Sequence, residues 1–188
     1  MEKKTRKPDR RVTRTKKAIK DAFLSLLSEK DISEITVKSV AEIANVDRKT
    51  IYNYYDGLYA ILEALEDEFV KRIDESVNYI EGVINTPALL FDKIVEVFEN
   101  NLDFYSKIMK IKSNSQLNKK LVSVLEDKIT KLLIKYKIVE EDKASITTVF
   151  YLQGFIEVYQ KWFDSDRSIS LNELSHYCGE LVIRGLKV

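Results

Sequence analysis

The stretch "TVKSVAEIANVDRKTIYNYY", residues 36–55, is the part of the sequence that decides the fold. Its first half places apolar side chains at i, i+3, i+4 and i+7, namely Val37, Val40, Ala41 and Ala44. This spacing predicts a two-turn helix with one apolar face. Its second half carries Arg, Lys, Thr, Asn and Tyr in close succession. The stretch therefore predicts two short helices joined by a tight turn, with an apolar back and a polar front.

Polar residues mark the ends of these two helices. Thr36 stands at the N-cap of the first helix, where its hydroxyl can accept a free backbone N–H, and Asp47 stands in the same place before the second. Asn45 occupies the turn, and asparagine is the non-glycine residue that best tolerates left-handed backbone angles. We therefore predict a helix-turn-helix without a glycine in its turn.

The rest of the chain also has its apolar residues at helical spacing. This spacing predicts six further helices: Thr13–Glu29, Leu58 to Ile80, Leu90 to Leu102, Leu121 to Tyr136, Asp142–Asp164 and Leu171–Lys187. Pro87 favours the first turn of the fifth helix, and the polar run 113–119 predicts a connection. The β-branched run "SITTVFY" (145–151) favours a strand by propensity, but its apolar residues continue a helical face. The prediction is an all-α fold of about nine helices.

Charge is distributed unevenly along the chain although the whole carries only +1. Residues 1–20 have a net charge of +8, residues 1–55 of +6, and residues 56–188 of −5. A basic N-terminal part on an acidic remainder is typical of a protein whose N-terminal part meets phosphate. The alternative is a lysine-rich tail that is merely solvated.

Composition narrows the class of protein. With 45% hydrophobic and 32% charged residues the sequence is typical of a globular protein. No apolar run of about 18 residues predicts a membrane span, and the N-terminus lacks the apolar segment of a secretory signal, so a cytoplasmic protein is expected. One histidine and no glycine-rich phosphate loop leave little catalytic equipment, so neither an enzyme nor a cofactor is expected. His176 and Cys178 are two residues apart on a helix and face different ways, so no metal site is predicted.

Residues 35–62, "ITVKSVAEIANVDRKTIYNYYDGLYAIL", resemble the helix-turn-helix of the TetR family of bacterial transcriptional regulators. The shared pattern is a threonine that opens helix two, "A-x-x-A" within it, a valine after the turn, and "T-I-Y-x-Y-Y" in the recognition helix. The resemblance includes the first helix and covers residues 10–70. It implies a three-helix DNA-binding head, residues 1–56, and a helical-bundle body, residues 57–188, for effector binding and dimerisation.

The resemblance assigns DNA contacts to eight residues. Arg48 and Lys49 are the expected readers of base edges, because their side chains pair with guanine in the major groove. Asn53 suits adenine or a thymine methyl group. Phosphate contacts that fix the register are expected from Thr36, Lys38, Thr50, Tyr52 and Tyr54. Alternatively, Arg48 pairs with a neighbouring glutamate and Tyr52 packs in the core.

The body is expected to supply a dimer and an effector pocket. One short recognition helix makes few base contacts, so two heads should read half-sites about 34 Å or more apart. The last two helices are the expected interface, where Gly154 and Gly179 would permit close approach of helices. The candidate ligand-binding residues are Phe104, Tyr105, Met109, Tyr151, Phe155 and Tyr159. Aromatic residues at helical spacing are alternatively an ordinary hydrophobic core.

The expected function is therefore that of a ligand-responsive, dimeric repressor that reads a pseudo-palindromic operator in double-stranded DNA. Its other partner would be an unknown small-molecule effector. One position supports a different hypothesis: the family usually has a phosphate-contacting lysine at the start of helix four, where this chain has Leu58. The alternative is a helical protein-interaction module that keeps the fold but has lost specific DNA binding or effector response.

Overall fold

A computed structural model describes residues 10–78, 87–100, 102–109 and 115–186 of the chain. Within these ranges there are nine α-helices, one 3₁₀ helix and no strand, so the all-α prediction is confirmed. The α-helices are α1 Arg10–Leu27, α2 Val37–Ala44, α3 Arg48–Tyr52, α4 Leu58–Asn78, α5 Pro87–Glu99, α6 Leu102–Met109, α7 Ser115–Lys135, α8 Glu141–Asp164 and α9 Leu171–Leu186. The 3₁₀ helix, Ile32–Glu34, lies between α1 and α2.

The chain divides into two compact units, Met1–Leu65 and Glu66–Val188. We call their described parts the head and the body. The division falls inside α4, nine residues after the boundary at residue 56 that the sequence predicted. The assignment of DNA binding to one part and effector binding to the other stays a prediction.

The head is built on α1, which packs against α2, and on α2, which packs against α3. Ile19, Phe23, Val40, Ile51 and Ile61 are fully buried in it. Burying a side chain of this size stabilises a fold by about 1.5–3 kcal/mol. The polar front of α3 is held in place by this apolar back, as the sequence predicted.

The ends of α2 match the prediction closely. The backbone N–H of Ser39 donates to Oγ1 of Thr36 over 3.1 Å, and the Thr36 N–H donates to the Ser39 hydroxyl over 3.2 Å. This reciprocal capping box confirms Thr36 as the N-cap. Asn45 ends the helix with φ 52° and ψ 50°, in the left-handed region, which confirms its role in the turn.

One detail of the second helix differs from the prediction. Asp47 occupies the N-cap position of α3, but its side chain accepts no capping hydrogen bond there. The helix is five residues long, and Asn53 is its C-cap. The N–H groups of Tyr54 and Tyr55 still donate to the Ile51 carbonyl, each over 2.9 Å, so the chain leaves the helix gradually.

The body pairs α5 with α9 and α7 with α8, and α6 packs on α8. An aromatic cluster fills its centre around Phe98. The Phe98 ring lies 5.2 Å from Tyr105, 5.4 Å from Tyr159 and 5.1 Å from Phe163, measured between ring centroids. Such pairs add about 0.5–1.5 kcal/mol each beyond the burial of area. The segment 145–151 lies within α8, so the helical interpretation of it is confirmed.

Two predicted boundaries in the body are wrong. Leu102 was assigned to the fifth helix, but α5 ends at Glu99 and Leu102 begins α6. The polar run 113–119 was predicted as a connection, but α7 begins at Ser115. Leu117 is fully buried and continues the stripe of Leu121 and Leu125 one turn earlier, so tertiary packing overrides the polar composition. The predicted end of the fourth helix at Ile80 lies outside the described residues.

Candidate functional site

The surface between α2 and α3 forms an open groove on the head. Its lining is Thr36, Val37, Lys38, Arg48, Lys49, Tyr52 and Asn53. Six of the eight predicted DNA-binding residues are thus brought together on one surface. Val37 was assigned to the apolar back of α2, but it is half-buried and borders the groove.

The groove is positively charged, and its α3 side chains are accessible. Arg48, Lys49 and Asn53 are exposed, and Tyr52 is 57% exposed, so the alternative in which Tyr52 packs in the core does not hold. Neither Arg48 nor Lys49 forms an ion pair with a carboxylate in the described part of the chain. Lys38 has Glu42 at 3.8 Å on the next turn of α2, and both side chains are largely in solvent. Such an exposed pair is worth only about 0.3–0.5 kcal/mol, so Lys38 can exchange it for a phosphate.

The other two predicted residues, Thr50 and Tyr54, lie off this groove and are half-buried. Tyr54 is instead in contact with α1, because the Lys16 ammonium lies 5.6 Å from the centroid of its ring. Sequence reasoning did not single out Lys16. The signal that could have found it is its place on the exposed basic side of α1, beside Arg14 and Lys17.

The predicted ligand-binding residues do not form one group. Phe104, Tyr105, Met109 and Tyr159 are buried in the body, whereas Tyr151 and Phe155 are half-buried and contact each other, with ring centroids 6.0 Å apart. The Tyr159 hydroxyl shares a hydrogen bond of 2.6 Å with the Ser175 hydroxyl. Four of the six therefore contribute to the hydrophobic core that the alternative hypothesis described.

One polar atom in this core is unusual. The Tyr105 hydroxyl is buried, and it forms no hydrogen bond of normal geometry with the described residues, although the Arg72 guanidinium is close enough to interact with it. A buried hydroxyl without a good hydrogen bond costs about 1–3 kcal/mol relative to a satisfied group. Burial raises the pKa of Tyr105, and the nearby guanidinium of Arg72 opposes that rise. Arg72 itself donates to a carboxylate oxygen of Glu68 over 2.8 Å, and its guanidinium lies 6.0 Å from the centroid of the Phe104 ring. A polar edge therefore adjoins the aromatic cluster at α4 and α6.

Large apolar side chains are exposed on both α8 and α9. Ile146 and Phe150, one turn apart on α8, are each 74% exposed, and Val158 lies on the same side two turns later. Gly154 lies between Phe150 and Val158, and a Cβ there would meet no atom of the described residues within 4 Å beyond the backbone of its own helix. On α9 the exposed apolar side chains are Tyr177 and Leu181. We call these residues the α8–α9 face.

Two glycines, Gly179 and Gly185, lie on α9. Gly179, which was assigned to the dimer interface, is buried within its own protomer and is not part of the α8–α9 face. Gly185 is a position of close approach between α9 and α8, because a Cβ there would overlap the hydroxyl of Tyr151. The sequence gives no sign of this, since it does not say which turns of α8 and α9 meet.

The thiol and the imidazole of α9 do not form a site. Cys178 is buried, and burial raises the pKa of its thiol, which disfavours the reactive thiolate. His176 is exposed and has Glu180 as its neighbour, with Nε2 to Oε1 at 3.6 Å. Within the described ranges no three His, Cys, Asp or Glu side chains are placed to hold a metal ion. None of the helices in those ranges is both long and apolar enough to cross a lipid bilayer.

Comparison with known proteins places these features in context. The family model TetR_C_8, described as "Transcriptional regulator C-terminal region", matches residues 85–184. The transcriptional activator DhaS of the dhaKLM operon of Lactococcus lactis is 30% identical over 101 residues, which are 53% of this chain and 51% of DhaS. The HTH-type regulator YxbF of Bacillus subtilis is 36% identical over 59 residues, 31% of this chain and 16% of YxbF. The chain thus spans about half or less of the length of these relatives.

Two solved structures resemble nearly the whole chain. A TetR transcriptional regulator from Streptococcus agalactiae has a TM-score of 0.66 and 28% identity, with 93% of this chain and 96% of that one covered. The fatty acid degradation regulator FadR from Bacillus halodurans has a TM-score of 0.73 and 18% identity, with 98% and 99% covered. At that lower identity the second likeness concerns the fold alone. The named relatives are transcriptional regulators rather than enzymes.

Proposed function

The chain belongs to the TetR family of transcriptional regulators, and on that premise we propose that it is a ligand-responsive, dimeric repressor of a pseudo-palindromic operator. The observation that carries the proposal is the groove between α2 and α3. It presents three cations, an amide and a tyrosine hydroxyl on one accessible surface. These are the side chains that pair with base edges and phosphates in the major groove.

Base reading falls to Arg48, Lys49 and Asn53, and phosphate binding to Thr36, Lys38 and Tyr52. Arg48 and Lys49 lie in the first turn of α3. In helix-turn-helix proteins the N-terminal residues of this helix contact base edges in the major groove of DNA. Thr50 and Tyr54 keep a phosphate role only at the margin of the contact, because both are half-buried and off the groove.

The α8–α9 face supports the dimer. A protein surface rarely leaves side chains as large as Phe150 and Ile146 three-quarters exposed beside further apolar groups unless a partner covers them. Gly154 leaves a gap in this face that a side chain of a second copy can fill. We therefore place the two-fold contact on α8 and α9, with Gly154 in it and Gly179 outside it.

The Tyr105 hydroxyl supports the effector. A ligand that accepts its hydrogen bond would remove the cost of the unsatisfied group, and the neighbouring guanidinium of Arg72 favours an anionic end. The surrounding rings of Phe69, Phe98 and Phe104 favour an apolar remainder. We propose an apolar acid as the class of effector. A fatty acid is the first probe to try, since one fold neighbour is named a regulator of fatty acid degradation.

The effector proposal is tested by adding dodecanoic acid to the protein–operator complex. Release of operator by wild type, together with a loss of ligand affinity of about 10-fold in Tyr105→Phe, is expected. Because Phe fills the same space, this variant changes the hydroxyl alone. Release that is identical in both proteins would contradict the assignment of Tyr105.

The DNA-binding proposal is tested by selecting duplexes from a random pool at two salt concentrations and sequencing the bound fraction. An enriched pseudo-palindrome is expected, with an affinity that falls steeply with salt because Lys and Arg contacts release counterions. Absence of enrichment at either salt would favour the interaction module that has lost DNA binding. A promoter–reporter fusion then gives the sign of regulation: repression is our proposal, and DhaS is named an activator.

Arg48→Ala separates base reading from general attraction to DNA. We expect a loss of about 2 kcal/mol, roughly 30-fold, on the selected operator and a relaxed preference at one base pair of each half-site. Lys38→Ala is the matched comparison, because it should weaken binding to all duplexes alike. Equal losses on operator and unrelated DNA for Arg48→Ala would remove its base-reading role.

A further inference from the structure

Lys16 on α1 differs from the lysine that follows it. Lys17 forms an ion pair with Asp21, with Nζ to Oδ2 at 2.5 Å. Lys16 is also exposed, but it pairs with no carboxylate of the described residues, and its contacts are two aromatic rings. Its ammonium lies 5.6 Å from the ring centroid of Tyr54 and 5.8 Å from that of Tyr55.

A contact between an ammonium and a ring face leaves the three N–H groups of the lysine able to donate elsewhere. The two rings also limit the positions that the long side chain can adopt. An unrestrained lysine side chain loses conformational entropy when it binds an anion. Because the two rings already restrict the side chain of Lys16, it loses less entropy on binding, and its affinity for an anion is higher. Lys16 is thus a cation that is partly positioned and not neutralised.

The position of Lys16 relates it to the proposed DNA surface. Tyr54 and Tyr55 directly follow Asn53, which lines the groove at the end of α3. Lys16 therefore brings a cation from a third helix, α1, to the residues that follow α3, whereas the groove itself carries Lys38, Arg48 and Lys49. The N-terminal part of α1, before Lys16, also carries three exposed arginines, Arg10, Arg11 and Arg14.

We propose that Lys16 is a further phosphate-binding residue. Tyr54 and Tyr55 hold its side chain so that the ammonium meets a phosphate of the DNA backbone at the edge of the major groove that α3 enters. This inference rests on the proposed DNA binding. It assigns to Tyr54 the role of positioning a cation, in addition to any contact of its own. The competing explanation is that Lys16 only joins α1 to the end of α3 and stabilises the head.

The experiment measures binding of full-length wild type, Lys16→Met, Lys16→Arg and Lys17→Met to the selected operator and to an unrelated duplex across a series of salt concentrations. Methionine is nearly as long as lysine and has a similar helix propensity, but it carries no charge. For a dimer with two Lys16 contacts, the slope of log K against log salt should fall by about 1.8, at about 0.9 for each phosphate. Affinity at moderate salt should fall on the order of 10-fold on both duplexes.

Lys16→Arg should retain most of the wild-type slope, and Lys17→Met should change it much less than Lys16→Met. A slope in Lys16→Met equal to that of wild type would overturn the proposal, even if the melting temperature fell, since that is the pattern of a structural contact. Equal slope changes in the two methionine variants would also overturn it. If wild type bound no duplex in the selection, the proposed function and this inference would both fail.

Discussion

The head and the body differ in the sequence separation between the polar side chains that contact each other. In the head, Thr36 and Ser39 cap α2 and Asp31 and Glu34 cap the 3₁₀ helix, each pair three residues apart. In the body, Lys120 on α7 meets Asp67 on α4, 53 residues away, and the Gln160 amide donates to Asn118 across 42 residues. The head thus has its helix ends defined locally, whereas the body has its helices tied to one another.

The exposed surfaces of the two units differ as well. The head shows a row of cations around α3, and the body shows the apolar α8–α9 face. Exposed charge suits a partner that is a polyanion, and exposed apolar area suits a second protein surface. Each unit forms its own core, so the two units present different kinds of exposed surface.

The largest effect is expected from Gly154→Leu on the α8–α9 face. Apart from its chain neighbours and the backbone of its own helix, none of the described atoms lies within 4 Å of a Cβ at this position, so the protomer should fold. Removal of a helical glycine favours the folded protomer by about 1 kcal/mol. The added side chain fills the gap between Phe150 and Val158, which should prevent dimerisation. Light scattering should give the monomer mass, and operator affinity should fall on the order of 100-fold with the loss of one half-site.

Lys131→Leu, on the exposed side of α7 and outside this face, is the control and should remain dimeric. A dimeric Gly154→Leu protein would show that the α8–α9 face is not the interface. The exposed apolar side chains of the body would then not be explained by contact with a second copy of the chain.

The second prediction concerns the long-range pairs of the body. The Lys120 ammonium lies 3.1 Å from Oε2 of Glu66, whose side chain is only 5% exposed. Lys120→Met would leave that carboxylate buried without its partner, at a cost of about 3 kcal/mol in the free energy of unfolding. Urea denaturation measures it. Lys131→Met removes an exposed i,i+4 pair with Asp127 and should cost less than about 0.5 kcal/mol. Similar losses in both variants would remove the distinction between long-range and local pairs.

The third prediction concerns the local caps of the head. Thr36→Ala removes the capping box of α2 and should lower the free energy of unfolding by about 1 kcal/mol. Asp47→Ala should have a smaller effect on stability, because the Asp47 side chain makes no capping hydrogen bond to α3. Thermal unfolding of the two variants gives the comparison. A loss in Asp47→Ala as large as in Thr36→Ala would mean that Asp47 caps α3 in solution.

The smallest effect is expected at a local cap within the body. Ser170 donates its backbone N–H and its hydroxyl to Glu173 at the start of α9, and these hydrogen bonds lower the pKa of the Glu173 carboxyl. A lowered pKa means that the stabilisation is present above the ordinary pKa of a glutamate and is lost as the pH falls through the folded value. An NMR titration should find Glu173 below its ordinary pKa, and Glu173→Gln should show a slightly smaller fall in melting temperature on acidification. An ordinary pKa at Glu173 would contradict the hydrogen bonds.

The sequence predicted well where the cause is local. The apolar spacing of α2, the cap at Thr36 and the left-handed turn at Asn45 each depend on residues within one or two turns, and each is confirmed. It predicted poorly where a distant contact decides. The start of α7 at Ser115 depends on the burial of Leu117, and the five aromatic residues and one methionine proposed for one pocket divide between the core and a half-buried pair.

The candidate site shows the same division. The residue types of the groove were evident from "DRKTIYNYY", but Thr50 and Tyr54 proved to be half-buried and outside the groove. The contact of Lys16 with Tyr54 and Tyr55 joins residues nearly forty positions apart, so no short pattern contains it.

By itself the sequence determined the all-α class, the helix-turn-helix and the basic character of the N-terminal part, because periodicity, capping and charge are properties of neighbouring residues. Within the described residues, only the tertiary structure decided which cations pair with no carboxylate, which glycine faces open space and which tyrosine hydroxyl is buried without a hydrogen bond of normal geometry. Those outcomes depend on which helix faces meet. That meeting is fixed by packing between residues far apart in the chain, and it becomes visible only when the helices are placed together.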